Sequence, residues 1–571
     1  AERMYLLDYD RTMEQVLAKD NIKVSENKVN LGVALSDVNY LSNETGEIVA
    51  FVQAGELYEY NQTTGEMTKV FSFITDDVTD NRKNYNEHNI LLLNIDETGT
   101  MDYVVYGYMN AGEYEGRCGL DLYHYDSVTK TSKEQAFIEA SSSYQILNAK
   151  FSDLLYKSSD GYFYIMMDGT LIQVDLDNIK TKEIYSGLSD DQYAVSSSGR
   201  YFAYTTEKEK AKTIHMRDLE TNTESTIQAA DGEYVKPLAF MDEDFVYGKI
   251  KDSDISTDVA GTQLYPMYDI VIQATGGNHE ILKEYQKPGM YVTEVNKVGY
   301  TLYLTRAVKD NNALVITDTD TIKNSEGEKN KAVKVTTTAK NHYGKISQII
   351  MSEISGKASY VKGKTASGNL VLAKKDRAIE VSPSEANLQY IVYVGSNVLY
   401  VGDDVTAAIT KADEQMGIVI NNLQQYIWKR GKKTNQNPLS GISVGTSDVK
   451  ANSSAQCISA ILNREGENVE VNTLLAEGET PVSILTSTLK KDTILNLTGA
   501  SLTEVLYYVN LGNPVYARTG DNSAVLLVGY DTANVTVFDP SKNATVKIGL
   551  NDATAKFEAA GNVFVGYITE E

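Results

Sequence analysis

The chain has 571 residues, 42% of them hydrophobic and 23% charged, with a formal net charge of −25. That length exceeds what one hydrophobic core fills, so two or more domains are expected, and the negative balance disfavours nucleic acid and anionic lipid surfaces, which would repel it. No apolar run approaches the roughly 20 residues that a membrane-spanning helix needs, and two cysteines, Cys118 and Cys457, give neither a disulfide framework nor a Cys/His metal spacing.

The 39 tyrosines against a single tryptophan and 8 prolines suit strand-rich structure. One two-part unit recurs. Its first half is a polar turn with glycine followed by an alternating strand, at residues 42–51, 96–106, 159–165 and 197–204. Its second half is a strand ending in a second polar turn, at 57–65, 122–130, 171–178 and 214–222. The first-half glycines, Gly46, Gly99, Gly161 and Gly199, are 53, 62 and 38 residues apart, which brackets the ~40–50 residues of a four-stranded propeller blade with loop insertions. Weaker copies follow at 240–247 with 270–282, and at 299–304 with 313–317.

A twisted four-stranded sheet needs neighbours on both faces, and closing a ring supplies them. Residues 6–384 therefore read as a β-propeller of about seven blades, six and eight also fitting the length, because the repeats blur between Asp310 and Lys375. A stack of β-sandwiches would not require so regular a two-part repeat. The stretch Ser197–Tyr204 resembles the blades of TolB or WD40-like propellers, over a few residues per blade.

Helical spacing begins at Asp403 and Asp404, with Ala407, Ala408, Ile409 and Ala412 on one side and Gly417 as the stop. A hairpin of residues 418–420 and 425–429 follows, and Trp428 is assigned to core packing. Residues 385–437 thus read as a helix-hairpin connector packed on the carboxy-terminal domain, ending in a basic, exposed stretch at 431–437.

In the last segment a helix starts near Ser453 and Ser454, placing Cys457 in its first turn, where backbone N–H groups and the helix dipole would favour a thiolate. A helix at 501–509 with the capping pair Ser501 and Glu504 leads to a strand at 515–518. Strands at 524–528, 534–538 and 545–548, a short helix at 552–558 and a strand at 563–568 complete the order.

Cys457 on a helix, Gly512-Asn-Pro-Val515, Val528-Gly-Tyr-Asp531 and Asp539-Pro540 together resemble the papain-like cysteine peptidases of the bacteriocin-processing type. The resemblance covers roughly the final 130 residues and implies an α+β papain-like domain over 438–571, with Cys457 at the nucleophile position and Asp539 at that of the orienting carboxylate. It also exposes two losses. Ser523 stands where the family has its histidine base, and Ala451 where it has the glutamine that stabilises the oxyanion. A serine hydroxyl cannot shuttle the proton near neutral pH, and a methyl group donates no hydrogen bond. Ile458 also stands where glycine usually follows the cysteine. The five histidines, His88, His124, His215, His279 and His342, all precede Asp403. Gln456 and Asn452 are the amides nearest the lost oxyanion donor.

The sequence thus supports a multidomain chain, an all-β propeller followed by a degenerate peptidase-like domain, acting as a non-catalytic binding or scaffolding protein. Protein or peptide partners are expected, and glycan is a further candidate. The competing reading is an active cysteine peptidase using Cys457 with Asp539 and an unidentified base. No cofactor or metal is expected, since Asp318 and Asp320 lack calcium-loop spacing and local pairs such as Asp242 and Asp244 carry no signal in so acidic a chain. An extracellular or cell-surface location is expected, with a signal or anchor upstream of Ala1.

Overall fold

The computed structural model of the chain describes residues 5–9, 24–25, 39–53, 55–73, 87–140, 142–150, 154–167, 169–257, 263–276, 279–310, 313–324, 333–340, 344–352, 363–373, 377–379, 381, 388–395, 397–444, 452–520 and 522–569. Alternating strands broken by glycine turns fold into successive antiparallel sheets. The first holds Tyr40–Ser42, Ile48–Gln53, Glu56–Asn61 and Glu66–Phe71; the second His88–Ile95, Met101–Tyr108, Cys118–Asp126 and Thr131–Glu139. The third holds Leu155–Lys157, Tyr162–Met167, Thr170–Asp175 and Lys180–Tyr185, and the fourth Tyr193–Val195, Tyr201–Tyr204, Thr213–Asp218 and Thr223–Gln228. In all four, the repeat's first half is the second strand and its second half the third. Gly46, Gly99, Gly161 and Gly199 each have φ between 74° and 89°, the left-handed region that makes glycine the default in these turns.

Apolar side chains join each sheet to the next. Ala50 and Leu57 pack with Met101, Tyr103 and Tyr123; Val104 and Leu122 with Phe163 and Ile172; Tyr164 and Leu171 with Phe202 and Tyr204; Ala203 and Ile214 with Phe245 and Val271. Sheets stacked face to face in chain order form a β-propeller-like architecture. The acidic surplus contributes to it, because carboxylates bridge neighbouring sheets at the turns. Glu97 accepts from the Glu44 N–H and the Thr45 hydroxyl, both at 2.8 Å, Glu243 from the Ser198 N–H at 2.9 Å, and Glu220 from the Ser159 N–H at 3.2 Å.

The weaker copy at 240–247 with 270–282 falls on the second and third strands of one more four-stranded unit, and beyond 286 the regular unit is lost. A fifth sheet, Glu233–Met241, Asp244–Lys251, Met267–Gln273 and Ile281–Gln286, runs through a single pairing of Met267 with Val292 into Met290–Val298, Thr301–Asp310 and Ala313–Lys323. Val333–Lys340 and Gly344–Ser352 share a sheet with Tyr5–Tyr9 and Val24–Ser25 from the chain start. Lys364–Ser367 then adds in parallel to the first sheet, and Asn369–Val371 and Ala378–Ile379 to the second. This strap is held where Glu134 accepts from the Ala373 N–H and Arg377 donates to the Leu176 carbonyl at 3.0 Å. It contributes outer strands to sheets already formed, which is why the repeat blurs there.

A second unit follows. Tyr390–Val394, Asn397–Gly402, Ile418–Asn421 and Tyr426–Lys429 form a four-stranded sheet, covered by the helix Val405–Gln415, whose Asp404 cap accepts from the Thr406 and Ala407 N–H groups. The left-handed residue at the end of this helix is Met416, not Gly417. Glycine at 417 answers a different need, since a Cβ there would lie 2.6 Å from the Tyr393 carbonyl oxygen.

The last sheet has the strand order Thr493–Asn496, Phe564–Ile568, Val515–Gly520, Ser523–Tyr530, Asn534–Asp539, Ala544–Gly549. Both its faces are covered. Val515, Ala517, Val525 and Leu527 pack with the helix Leu502–Leu511, the helix Leu550–Ala559 and the four-stranded sheet, while Tyr516, Ala524, Leu526 and Val528 point to the helices Ser453–Arg464, Val471–Ala476 and Pro481–Thr488. Covering both faces explains the unbroken apolar run of residues 524–528. Trp428 is buried in the first of these layers and its Nε1–H donates to the Glu504 carbonyl at 3.1 Å. Among the described residues no helix is long and apolar enough to cross a membrane.

Candidate functional site

The helix Ser453–Arg464 begins at Asn452, whose side chain accepts from the Ala455 N–H at 2.9 Å. Asn452 therefore serves as the helix cap. The helix lies between the last sheet and the two short helices, so nearly all of its first nine residues are buried, Ser454, Gln456 and Ser459 among them. Cys457 is its fifth residue and has no exposed surface. It shares its core with Ile461, Tyr516, Ala524 and Phe538.

Burial pushes the Cys457 thiol well above its ordinary range, and the charge of Asp539 adds to the effect. The lowered pKa expected from the helix terminus does not occur, for a reason of magnitude. A helix dipole contributes about 0.3–1 kcal/mol and fades beyond the first turn, and at Cys457, the fifth helical residue, the desolvation of a fully buried thiolate outweighs it.

The side chain that meets the strand Ser523–Tyr530 at the head of the helix is Ser453, one turn before Cys457. Its Oγ accepts from the Ala524 N–H at 3.1 Å, the Ser454 N–H reaches the Asn522 carbonyl at 3.4 Å, and the Ser454 hydroxyl is 2.7 Å from the Tyr516 hydroxyl. These bonds fix the half-buried Ser523 against the helix terminus. Asp539 ends the neighbouring strand. Against the raising effect of burial, bonds from the Ser541 hydroxyl at 2.6 Å and the Lys542 ammonium at 3.0 Å hold its carboxyl below the usual range.

The fold thus brings Asp539 within electrostatic reach of Cys457 and sets the chain on either side of Ser523 against the head of the same helix, with the thiol buried in the core. Ala451 lies outside the described residues. Histidines are engaged elsewhere: His88 Nε2 is 3.0 Å from the Gly55 carbonyl, His124 Nδ1 2.8 Å from Asp102, and His215 Nδ1 3.0 Å from Glu224. His279 lies in the loop between Met267–Gln273 and Ile281–Gln286, and His342 lies outside the described residues. Among the described residues no cluster of three or more His, Cys, Asp or Glu could hold a metal ion.

A cavity of about 1200 Å³ lies elsewhere, between the propeller-like region and the four-stranded sheet. Leu155, Tyr193 and Phe240, from the first strands of the third, fourth and fifth sheets, line one side; Ile391, Tyr393 and Ile420 line the other. None of Cys457, Ser523 or Asp539 borders it. No sequence signal marks it, because its walls come from residues far apart in the chain.

The chain is therefore a stack of facing antiparallel sheets joined to a layered α/β unit. No protein-family model matches it, and no curated protein matches it. Similar solved structures include a protein described as a C39-like peptidase from Bacillus anthracis, with 17% identity over 23% of this chain and 98% of that one, at a TM-score of 0.19. Dipeptidyl peptidase 4 from Porphyromonas gingivalis aligns at 10% identity over 57% of this chain and 60% of its own, at 0.25. TolB from Acinetobacter baumannii aligns at 15% identity over 48% and 62%, at 0.21. At such scores none of the three bears on chemistry.

Proposed function

We propose that this protein is a non-catalytic binding or scaffolding protein. In this reading residues 6–384 form a seven-bladed propeller that supplies a recognition surface, and residues 438–571, with 385–437 packed against them, keep a papain-like form that holds peptide without cleaving it. Its place is outside the cell or on the cell surface. The observation that carries the reading is Cys457: the thiol at the nucleophile position is fully buried and its ionisation suppressed, so it is neither presented to a substrate nor activated. The absence of histidine after His342 in the sequence removes the usual proton shuttle as well.

Incubating the full chain with a library of unstructured decapeptides, followed by mass spectrometry, tests this. Retention of a subset of intact peptides is expected. Cleavage that disappears in Cys457→Ala would overturn the reading in favour of an active cysteine peptidase.

A further inference from the structure

The cavity between the two regions is built as a binding site for an uncharged oligosaccharide, we infer. This deepens the recognition half of the reading above and is independent of the state of Cys457.

The geometry of the four-stranded sheet creates the site. Along Tyr390–Val394 the side chains alternate: Tyr390 and Val392 belong to the carboxy-terminal core, while Ile391 and Tyr393 line the cavity. One face is committed to folding and the other is presented to the propeller-like region. Opposite it, the opening strands of three successive sheets converge, as inner strands converge on a propeller axis. The cavity therefore lies between these three strands and the four-stranded sheet. At about 1200 Å³ it exceeds the ~300–1,000 Å³ typical for a single small ligand, which suits a short polymer.

Charge then narrows the class. Among the described residues that line it, only two of 28 are charged, Asp190 and Lys297, of opposite sign, in a chain that is 23% charged with a net −25. A charged ligand would give up its hydration without a matching partner. A purely apolar ligand would cover Ser142, Ser143, Gln389 and Gln424 without satisfying them.

A neutral sugar chain meets both demands. Its hydroxyl edges suit serine and side-chain amides, and its C–H faces suit aromatic rings, here Tyr193, Tyr393 and the 59% exposed Tyr426.

The test is calorimetric titration of the full chain with the hexasaccharides of β-1,4-glucose, α-1,4-glucose, xylose, mannose and N-acetylglucosamine. At least one should bind with Kd of about 1 mM or tighter. Tyr426→Ala, which changes an exposed side chain and leaves the circular dichroism unaltered, and Tyr393→Ala should each weaken binding about tenfold. Cys457→Ala should bind like the parent. No binding of any of the five, binding unchanged in both tyrosine variants, or the decapeptides occupying the cavity in their place would overturn the inference. None of these outcomes depends on whether peptides are cleaved.

Discussion

Replacing Cys457 by alanine and by serine separates a packing thiol from a catalytic one through the sign of the stability change. Cys457 is fully buried among Ile461, Tyr516, Ala524 and Phe538. Alanine removes one sulfur from a packed core, a loss comparable to a methylene plus a small cavity, about 1–1.5 kcal/mol. Serine keeps the shape but buries a hydroxyl. Its bond back to the Ser453 carbonyl one turn earlier offsets part of the cost, leaving a net loss of about 1–3 kcal/mol. The single tryptophan makes the assay specific: Trp428 is buried in the carboxy-terminal unit, so urea unfolding followed by its fluorescence reports that unit alone. With an m-value of about 2 kcal/mol/M, a 2 kcal/mol loss lowers the midpoint by about 1 M. Both variants should unfold earlier than the parent and retain peptide binding. Catalytic groups are commonly strained, and their removal is neutral or stabilising. If either variant matched or exceeded the parent in stability while losing peptide processing, the packing account of Cys457 would be refuted.

Two further outcomes follow from the fold. Burial raises the Glu59 carboxyl from an ordinary value of 4.5 to about 7, with the Lys130 charge opposing and Glu66 and Asp96 reinforcing the shift. A carboxyl raised in the folded state stabilises most below its unfolded pKa and loses that contribution as pH climbs from about 4.5 to 7. Glu59→Gln should therefore be more stable than the parent at pH 8, by roughly 3 kcal/mol at most, and equal to it at pH 4, as read from thermal melts by tyrosine circular dichroism; a constant difference across pH would contradict the assignment. Gly417→Ala should cost about 1–3 kcal/mol on the Trp428 signal, because the new Cβ would press on the Tyr393 carbonyl and Val394; an unchanged midpoint would mean that the strand gives way freely.

The central hairpins were legible in the sequence because two signals coincide there, a turn glycine and a run of apolar and aromatic strand residues, buried on both faces in Ile48–Gln53 and Met101–Tyr108. The outer strands were not. Lys180–Tyr185 and Thr223–Gln228 are mostly exposed and polar, so their pattern does not differ from a loop. Nor could a linear reading place Phe564–Ile568 between Thr493–Asn496 and Val515–Gly520, an insertion decided by long-range pairing. In the carboxy-terminal unit the helix bearing Cys457 was visible from its apolar stripe, but the burial of Ser454, Gln456 and Ser459 as well follows only from the elements packed around it. That packing reverses the expected thiol chemistry. The cavity was illegible for a related reason: Tyr193, Tyr393 and Tyr426 look like ordinary strand residues until two sheets are set face to face.

The most direct measurement is the alkylation rate of Cys457 by iodoacetamide as a function of pH, followed on the intact protein by peptide mass mapping so that Cys118 is scored separately. Burial predicts that Cys457 stays unmodified at pH 7.5 under native conditions and reacts once urea unfolds the carboxy-terminal unit, in step with Trp428 fluorescence. Rapid native alkylation, with a rate profile that places the thiol pKa below about 7, would contradict the account.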